Sequence, residues 1–273
     1  MNRRAFSIAM PACCLVFSGV LRTSAAEPNP SPANGPHIVF LVSKDPSNYK
    51  AHETIPVFAE MLRNRYGCSC TVIRGEGEPG AFRFPGLEAI RDADLLVVFF
   101  RRRAPSDEQM GMIREHLAAG KPLAGIRTAN HAFAVKETVA KGHGKWDTFC
   151  SEVLGCGNHG YGPDALGTDV RFAAGAADNP ILANVKPTRW HGNGSLYLVK
   201  PIDKAATVLL TGSVGDKSEP VAWTRMYRKS RVFYTSLGYP DDFQFPQFTK
   251  LLVNALFWAM DRPTPTEAAS AGG

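Results

Sequence analysis

Residues 37–43, HIVFLVS, form an unbroken apolar run of strand length. That pattern belongs to a strand covered on both faces, since a half-exposed strand alternates. Over residues 51–66, Ile55, Phe58, Ala59, Leu62 and Tyr66 recur at three- and four-residue steps, which predicts an amphipathic helix. Pro56 fits that helix only near its start. CTVIRG (70–75) predicts a second strand and ADLLVVFF (93–100) a third, joined by a Gly/Pro-rich connection over 75–86. Pro105-Ser106-Asp107 opens a second helix, which stops at Gly120. PLAGIRT (122–128) is expected as a fourth strand. Strands alternating with helices of this length predict an α/β fold: a parallel sheet with helices on both faces.

The second half is less regular. A short helix is expected over 146–154, and DVRFA (169–173) and SLYLV (195–199) read as short strands. ATVLLTG (206–212), PVAWTR (220–225) and RVFYTSL (231–237) follow too closely for crossover helices, so they predict an antiparallel extension. A closing amphipathic helix over 245–260 precedes a tail, 261–273, expected to be disordered.

Residues 1–26 read as a targeting signal. Arg3-Arg4 precedes a largely apolar stretch to Leu21, and Ser24-Ala25-Ala26 offers small residues for cleavage after Ala26. Arg3-Arg4-Ala5-Phe6 resembles a twin-arginine signal; an ordinary Sec signal is the other reading. The expected destination is periplasmic or extracellular. Residues 27–36 form a proline-rich linker. No later segment is a long apolar run, so no membrane span is expected after cleavage. The net charge of +6 includes Arg3, Arg4 and Arg22; without them 28 Lys+Arg face 25 Asp+Glu, leaving +3. So small a balance argues against nucleic acid as a partner. Of the four later cysteines, Cys68 and Cys70 would point to opposite faces of a strand, whereas a Cys150–Cys156 disulfide is geometrically possible. Oligomeric state has no signature in the chain.

Ligands of open parallel sheets bind beyond the carboxyl ends of the strands. Those positions carry His52-Glu53 after strand one, Arg101-Arg102-Arg103 after strand three, and Arg127 to His131 after strand four. Tyr239, Asp241 and Asp242 follow the last strand, and His159 sits in the Gly-rich loop 157–162. Each has a structural alternative: a solvated first helical turn for His52, a solubilising loop for the arginines, packing for His131, helix capping for Asp242. Three guanidinium groups after a buried strand attract a phosphate, carboxylate or polyol. No GxSxG elbow, Walker A loop, HExxH or complete dinucleotide fingerprint is present, and no cofactor is expected. His52, His131, His159 and His191 with Asp242 are dispersed ligands from which a metal site can be imagined, but their spacing carries little weight, and none is assigned to a metal.

Four blocks together resemble the ThuA-like (trehalose utilisation) family. They are His52-Glu53-Thr54-Ile55-Pro56, Arg101-Arg102-Arg103, GIRTANHAF (125–133), and EPVAWT (219–224) through RVFYTSLG (231–238). The resemblance covers roughly 37–260, and the last block is its most specific part. It implies a class I glutamine amidotransferase-like fold, a flavodoxin-like three-layer sandwich with a mostly parallel sheet. Glutamine amidotransferases carry a cysteine nucleophile on the turn after a Gly-Ile strand end. Here that turn is Gly125-Ile126-Arg127, and Cys150 is 23 residues on. Arginine stays protonated and cannot attack an amide, so glutamine amidotransferase activity is not expected. The family name implies carbohydrate metabolism and a small-molecule carbohydrate, including oxidised disaccharides, as the partner. In that reading Arg102 and Arg127 bind the sugar, His131 or His52 is the catalytic acid/base, and His159 and Asp242 complete the pocket. Isomerisation or hydrolysis by proton transfer is the expected reaction type. The alternatives are a non-catalytic carbohydrate- or partner-binding module and a metal-dependent hydrolase.

Overall fold

A computed structural model describes residues 35–186 and 190–265. The targeting signal, nearly all of the linker and the end of the tail lie outside the described residues. A ten-stranded mixed sheet organises the chain. Its first strands are β1 (His37–Ser43), β2 (Ser69–Glu78), β3 (Ala81–Arg83), β4 (Leu95–Phe99) and β5 (Leu123–Ile126). Then come β6 (Thr168–Phe172), β7 (Trp190–Gly192), β8 (Thr207–Val214), β9 (Lys217–Tyr227) and β10 (Ser230–Thr235). The order across the sheet is β3-β2-β1-β4-β5-β10-β9-β8-β6-β7. From β2 to β10 all neighbours are parallel; beyond β10 all are antiparallel. Leaving out the short β3, the parallel core has the 2-1-3-4-5 order of flavodoxin-like sheets.

Alternate residues of the central strands feed two cores, as a buried strand requires. Ile38, Phe40 and Val42 of β1 and Leu95, Val97 and Phe99 of β4 pack under α1 (Ala51–Tyr66) and α3 (Pro246–Ala259). Val39, Leu41, Leu96 and Val98 pack under α2 (Asp107–Ala118). The result is the three-layer sandwich expected.

The structure departs from the sequence reading in five places. The connection over 75–86 is not a loop: β2 runs on to Glu78 and pairs with β3. Phe82 and Phe84 hold that hairpin, packing edge-on at 5.3 Å, while Gln109 bonds both backbone groups of Phe84. Residues 195–199 form no strand. They run beside the 157–162 loop, joined by Gly162 N to Leu196 O and Leu198 N to Gly160 O. The sheet edge is supplied instead by β7. The helix over 146–154 shrinks to one π-helical turn, Cys150–Leu154, ended by left-handed Gly155. Strand β10 is not only part of the antiparallel extension, since it also pairs in parallel with β5. Residues 261–265 are anchored: Asp261 pairs with Arg231 at 2.6 Å, and Lys250 donates to Pro265 O at 2.9 Å. Cys150 and Cys156 are free thiols, buried with Sγ atoms 3.3 Å apart.

One buried side chain ties the carboxyl ends of three strands. Asn48 Nδ2 donates to Ser43 O at the end of β1 and to Phe99 O at the end of β4, both at 3.0 Å. Its Oδ1 accepts from Thr128 Oγ1, just after β5, at 2.6 Å. Asn48→Ala takes one partner from each of three buried polar groups, at up to about 1–3 kcal/mol each before relaxation. The variant is expected to lose at least about 2 kcal/mol in urea unfolding. A loss under about 0.5 kcal/mol would show that the strand ends are held by packing alone.

Candidate functional site

Strand order reverses between β1 and β4, and ligands of such sheets bind at that switch point. A cavity of about 360 Å³ opens there. Ser47 and Tyr49 enter it from the loop after β1, Arg101 and Arg102 from the loop after β4, and His131 from the turn after β5. Asn158, Gly160, Tyr161 and Tyr197 close it from the 157–162 loop and the segment beside it. A larger groove of about 550 Å³ runs between α1 and α3. Its lining is mostly apolar and includes none of the candidate residues, so the smaller cavity is the one with chemistry.

Behind the cavity stands a sharp elbow. Strand β5 ends at Ile126, and Arg127 adopts a left-handed backbone (φ 43°) before a 3-10 turn, Arg127–His131. A non-glycine residue in that region is strained and is held there by its surroundings. Tyr234 Oη donates to Arg127 O at 2.7 Å. Gly238, at φ 116°, lets the last loop approach; a Cβ there would lie 2.7 Å from the Ile126 side chain. The Arg127 side chain is only 1% exposed. It donates to Ser236 O (2.8 Å) and Ser195 Oγ (3.4 Å). Its Cζ lies 4.1 Å from the Tyr49 ring centre, 4.7 Å from Tyr197 and 5.8 Å from Tyr239. Gly194 makes room, since a Cβ there would lie 2.7 Å from Nη1. Burial pulls the guanidinium pKa down, but Tyr197, Tyr49 and Asp242 outweigh it and raise it. Asp242 is itself buried and accepts from the N–H groups of Gly238 (2.8 Å) and Tyr239 (2.9 Å). Desolvation raises its pKa, against those hydrogen bonds and Arg127.

The arginine loop is fastened to the elbow turn. Arg102 N donates to His131 O and Arg103 N to Ala132 O. Arg103 pairs with Asp45 at 3.0 Å and lies over the Phe82 ring. Arg102, also left-handed (φ 49°), sends Nη1 to Ala134 O. Arg101 has no hydrogen bond or ion pair among the described residues. Desolvation, then Arg101, lowers the pKa of Arg102.

His131 Nδ1 is bonded to Asn130 Oδ1. An amide oxygen only accepts, so Nδ1 carries the proton and Nε2 keeps its lone pair. Burial first, then Arg102, Arg101, Arg127 and Lys136, lower the His131 pKa to about 3. The ring is therefore neutral across the physiological range.

Of the six candidates, the structure brings Arg102 and His131 into one cavity. Arg127 stands behind its wall, between Tyr49 and Tyr197, and Asp242, also buried, does not line it. His52 does not line it. Two consecutive left-handed residues, Tyr49 and Lys50, precede α1; Tyr49 enters the cavity, while His52 Nε2 lies 3.4 Å from Glu53 on the first helical turn. His159 is exposed, although its neighbours Asn158 and Gly160 line the cavity. His191 pairs with Asp169 at 2.8 Å. Among the described residues no three His, Cys, Asp or Glu side chains come together to hold a metal ion, so the dispersed ligands do not assemble. The sequence reading passed over Tyr49, Tyr161 and Tyr197. Tyr49 lies in the loop after β1 that was singled out for His52, and Tyr197 lies in a run read as strand.

The lowered pKa of His131 has a definite sign in stability. Between about 3 and the unfolded value of about 6.5 the unfolded chain binds more protons. The stabilising contribution is complete above about pH 6.5 and is lost as pH falls toward 3. His131→Gln should therefore lose less stability than the parent between pH 7 and pH 4, read from urea midpoints. His116, whose pKa is also lowered, stays in both proteins. Parallel profiles would contradict the neutral buried assignment.

Comparison with known proteins agrees with this architecture. No curated protein matches the chain. A ThuA-like protein from Bacteroides uniformis superposes with a TM-score of 0.60 at 15% identity, over 86% of this chain and 95% of that one. One from Parabacteroides merdae gives 0.61 at 15% identity, over 86% and 94%. The carbohydrate deacetylase Agd3 gives 0.51 at 12% identity, over 81% of this chain and 33% of that one. At these identities the likeness is one of fold. Among the described residues no helix is long and apolar enough to cross a membrane. The family model for trehalose utilisation, ThuA, matches residues 39–259, well over half of the chain, and the protein belongs to that family.

Proposed function

We propose that the cavity at the β1/β4 switch point binds a sugar or oxidised sugar derivative, and that His131 moves a proton there. The observation that carries this reading is the His131 ring. Its Nδ1 is committed to Asn130, and its Nε2 has no partner among the described residues. It sits in one cavity with two guanidinium groups and three tyrosines. Tyrosine faces suit the apolar face of a sugar ring, and their hydroxyls its polar edge. The family's carbohydrate association supports the ligand class.

The chemistry follows from charge. A neutral imidazole with a low pKa is a weak base in isolation. It becomes competent when the anion it creates is stabilised by fixed positive charge. Nε2 would take a proton from a carbon beside a carbonyl, or from a hydroxyl, and Arg101 and Arg102 would hold the resulting oxyanion. The proton returned to the neighbouring carbon, with the adjacent hydroxyl's proton passing to the former carbonyl oxygen, completes an isomerisation of a hydroxy-carbonyl sugar. Arg127, behind the tyrosines, would fix their rings and add to the positive field. The low His131 pKa equally favours a second reading, a binding module in which Nε2 only accepts a hydrogen bond from a sugar hydroxyl. Export is part of the proposal and rests on the pattern of residues 1–26; protein recovered from the extracytoplasmic fraction should begin at Glu27, and cytoplasmic protein retaining Met1 would contradict it.

A panel of monosaccharides, disaccharides and their 3-keto derivatives tests both readings, scored for binding and turnover. Tyr161→Ala should weaken binding about tenfold. His131→Gln should keep binding and lower turnover by about 10²–10⁴. Unchanged turnover in that variant removes His131 from the chemistry, and binding without turnover in the parent favours the module.

A further inference from the structure

We propose that the preferred ligand is an anionic monosaccharide, a single sugar ring carrying a carboxylate or phosphate, with the oxyanion held by Arg101 and Arg102. The inference rests on the proposed sugar site and narrows it. No carboxylate lines the cavity. A neutral sugar presents hydroxyl donors as well as acceptors and is best met by both kinds of partner. Here the two guanidiniums only donate, and although the phenols, the Ser47 hydroxyl, the Asn158 amide and His131 Nε2 can accept, no anionic acceptor balances the two cations.

The positive charge that faces the cavity is also without an ion-pair partner among the described residues. Of the three consecutive arginines, Arg103 is neutralised by Asp45 at 3.0 Å. Arg101 has no ion pair or hydrogen bond among the described residues. Arg102 spends Nη1 on a backbone oxygen, Ala134 O, and its buried Nε has no partner. Glu137 acts on Arg102 from beyond ion-pair distance, but no carboxylate pairs with either guanidinium, and both line the cavity.

Arg102 is held in advance of any ligand. Its backbone is left-handed at φ 49°, and its N–H is bonded to His131 O. Strain of this kind persists where the surroundings enforce it, and it clusters at binding sites. A fixed guanidinium loses little freedom on meeting a planar or tetrahedral oxyanion, which is the group it matches best.

The size of the cavity suits a single ring. At about 360 Å³ the cavity lies near the lower end of ligand sites, which begin at about 300 Å³. Tyr161 is 61% exposed at its mouth and tilted 35° to Tyr197. The two rings offer a face for the sugar.

Titration calorimetry with the full mature chain tests the proposal. The probes are D-glucuronate, its methyl ester, D-glucose, glucose 6-phosphate and inorganic phosphate. At least one of the anionic sugars should bind tenfold or more tightly than the ester and glucose. Whichever it is identifies the oxyanion, and the advantage should shrink as salt is raised. Arg101→Gln, at a half-buried residue without a bond to lose, should remove most of that advantage, weakening the anionic sugar about tenfold. Glucose and the ester binding as tightly as both anions would overturn the anionic preference while leaving the sugar site standing. Inorganic phosphate binding as tightly as the best sugar would reduce the site to a bare anion site and overturn the proposal. Failure of every sugar to bind would overturn it together with the proposed function.

Discussion

A buried guanidinium at the turn of the central strand constrains everything around it. Arg127 is removed from water without a carboxylate in hydrogen-bond contact. Its charge is met by a backbone carbonyl, a serine hydroxyl, the faces of three tyrosines and the nearby Asp242. Placing a cation there is costly unless each of those partners is exact in position. The small residues at Gly125, Gly194 and Gly238 are the other half of the same requirement. Each lets a neighbouring segment come closer to the elbow than a side chain would allow.

The candidate site is a consequence of that arrangement. The tyrosines that face Arg127 on one side face the cavity on the other. The arginine loop after β4 is bonded to the turn that begins at Arg127, so Arg101, Arg102 and His131 are positioned together. Asn48 then locks the loop after β1 to the ends of β4 and of β5. Positive charge accumulates as a result, and burial first, then that charge, keep His131 neutral. The elbow after β5 presents a structural cation, and the polar groups that line the cavity lie at the strand ends beside it.

The parallel core was legible because its strands are continuous apolar runs and its helices keep a clear 3.6-residue period. The β2–β3 hairpin was hidden by its glycines and prolines, since the aromatics that stabilise it make contacts with Phe100 and α2 that no local pattern reveals. Strand β7 is three residues long and was beneath any periodic signal. Within the site, the importance of the turns after β1, β4 and β5 could be read from chain order alone. Which side chain of each turn faces inward could not. That depends on single backbone choices: the left-handed pair Tyr49-Lys50 brings in Tyr49 while His52 lies off the cavity, and the loop 157–162 presents Asn158 and Gly160 while His159 stays at the surface. A reading that ranked residues by chemical reactivity favoured histidines and overlooked the tyrosines, whose role here comes from the shape and position of their rings.

The central claim is that His131, neutral with Nε2 unpartnered, is the group that meets a sugar in this cavity. Nitrogen NMR of the imidazole rings, during titration with the tightest-binding sugar at pH 7, tests it directly. A neutral His131 with its proton on Nδ1 is expected in the free protein, with a shift of Nε2 on ligand addition while His52 and His159 stay unchanged. A protonated His131 at pH 7, or a ligand shift at His52 or His159 with His131 silent, would contradict it.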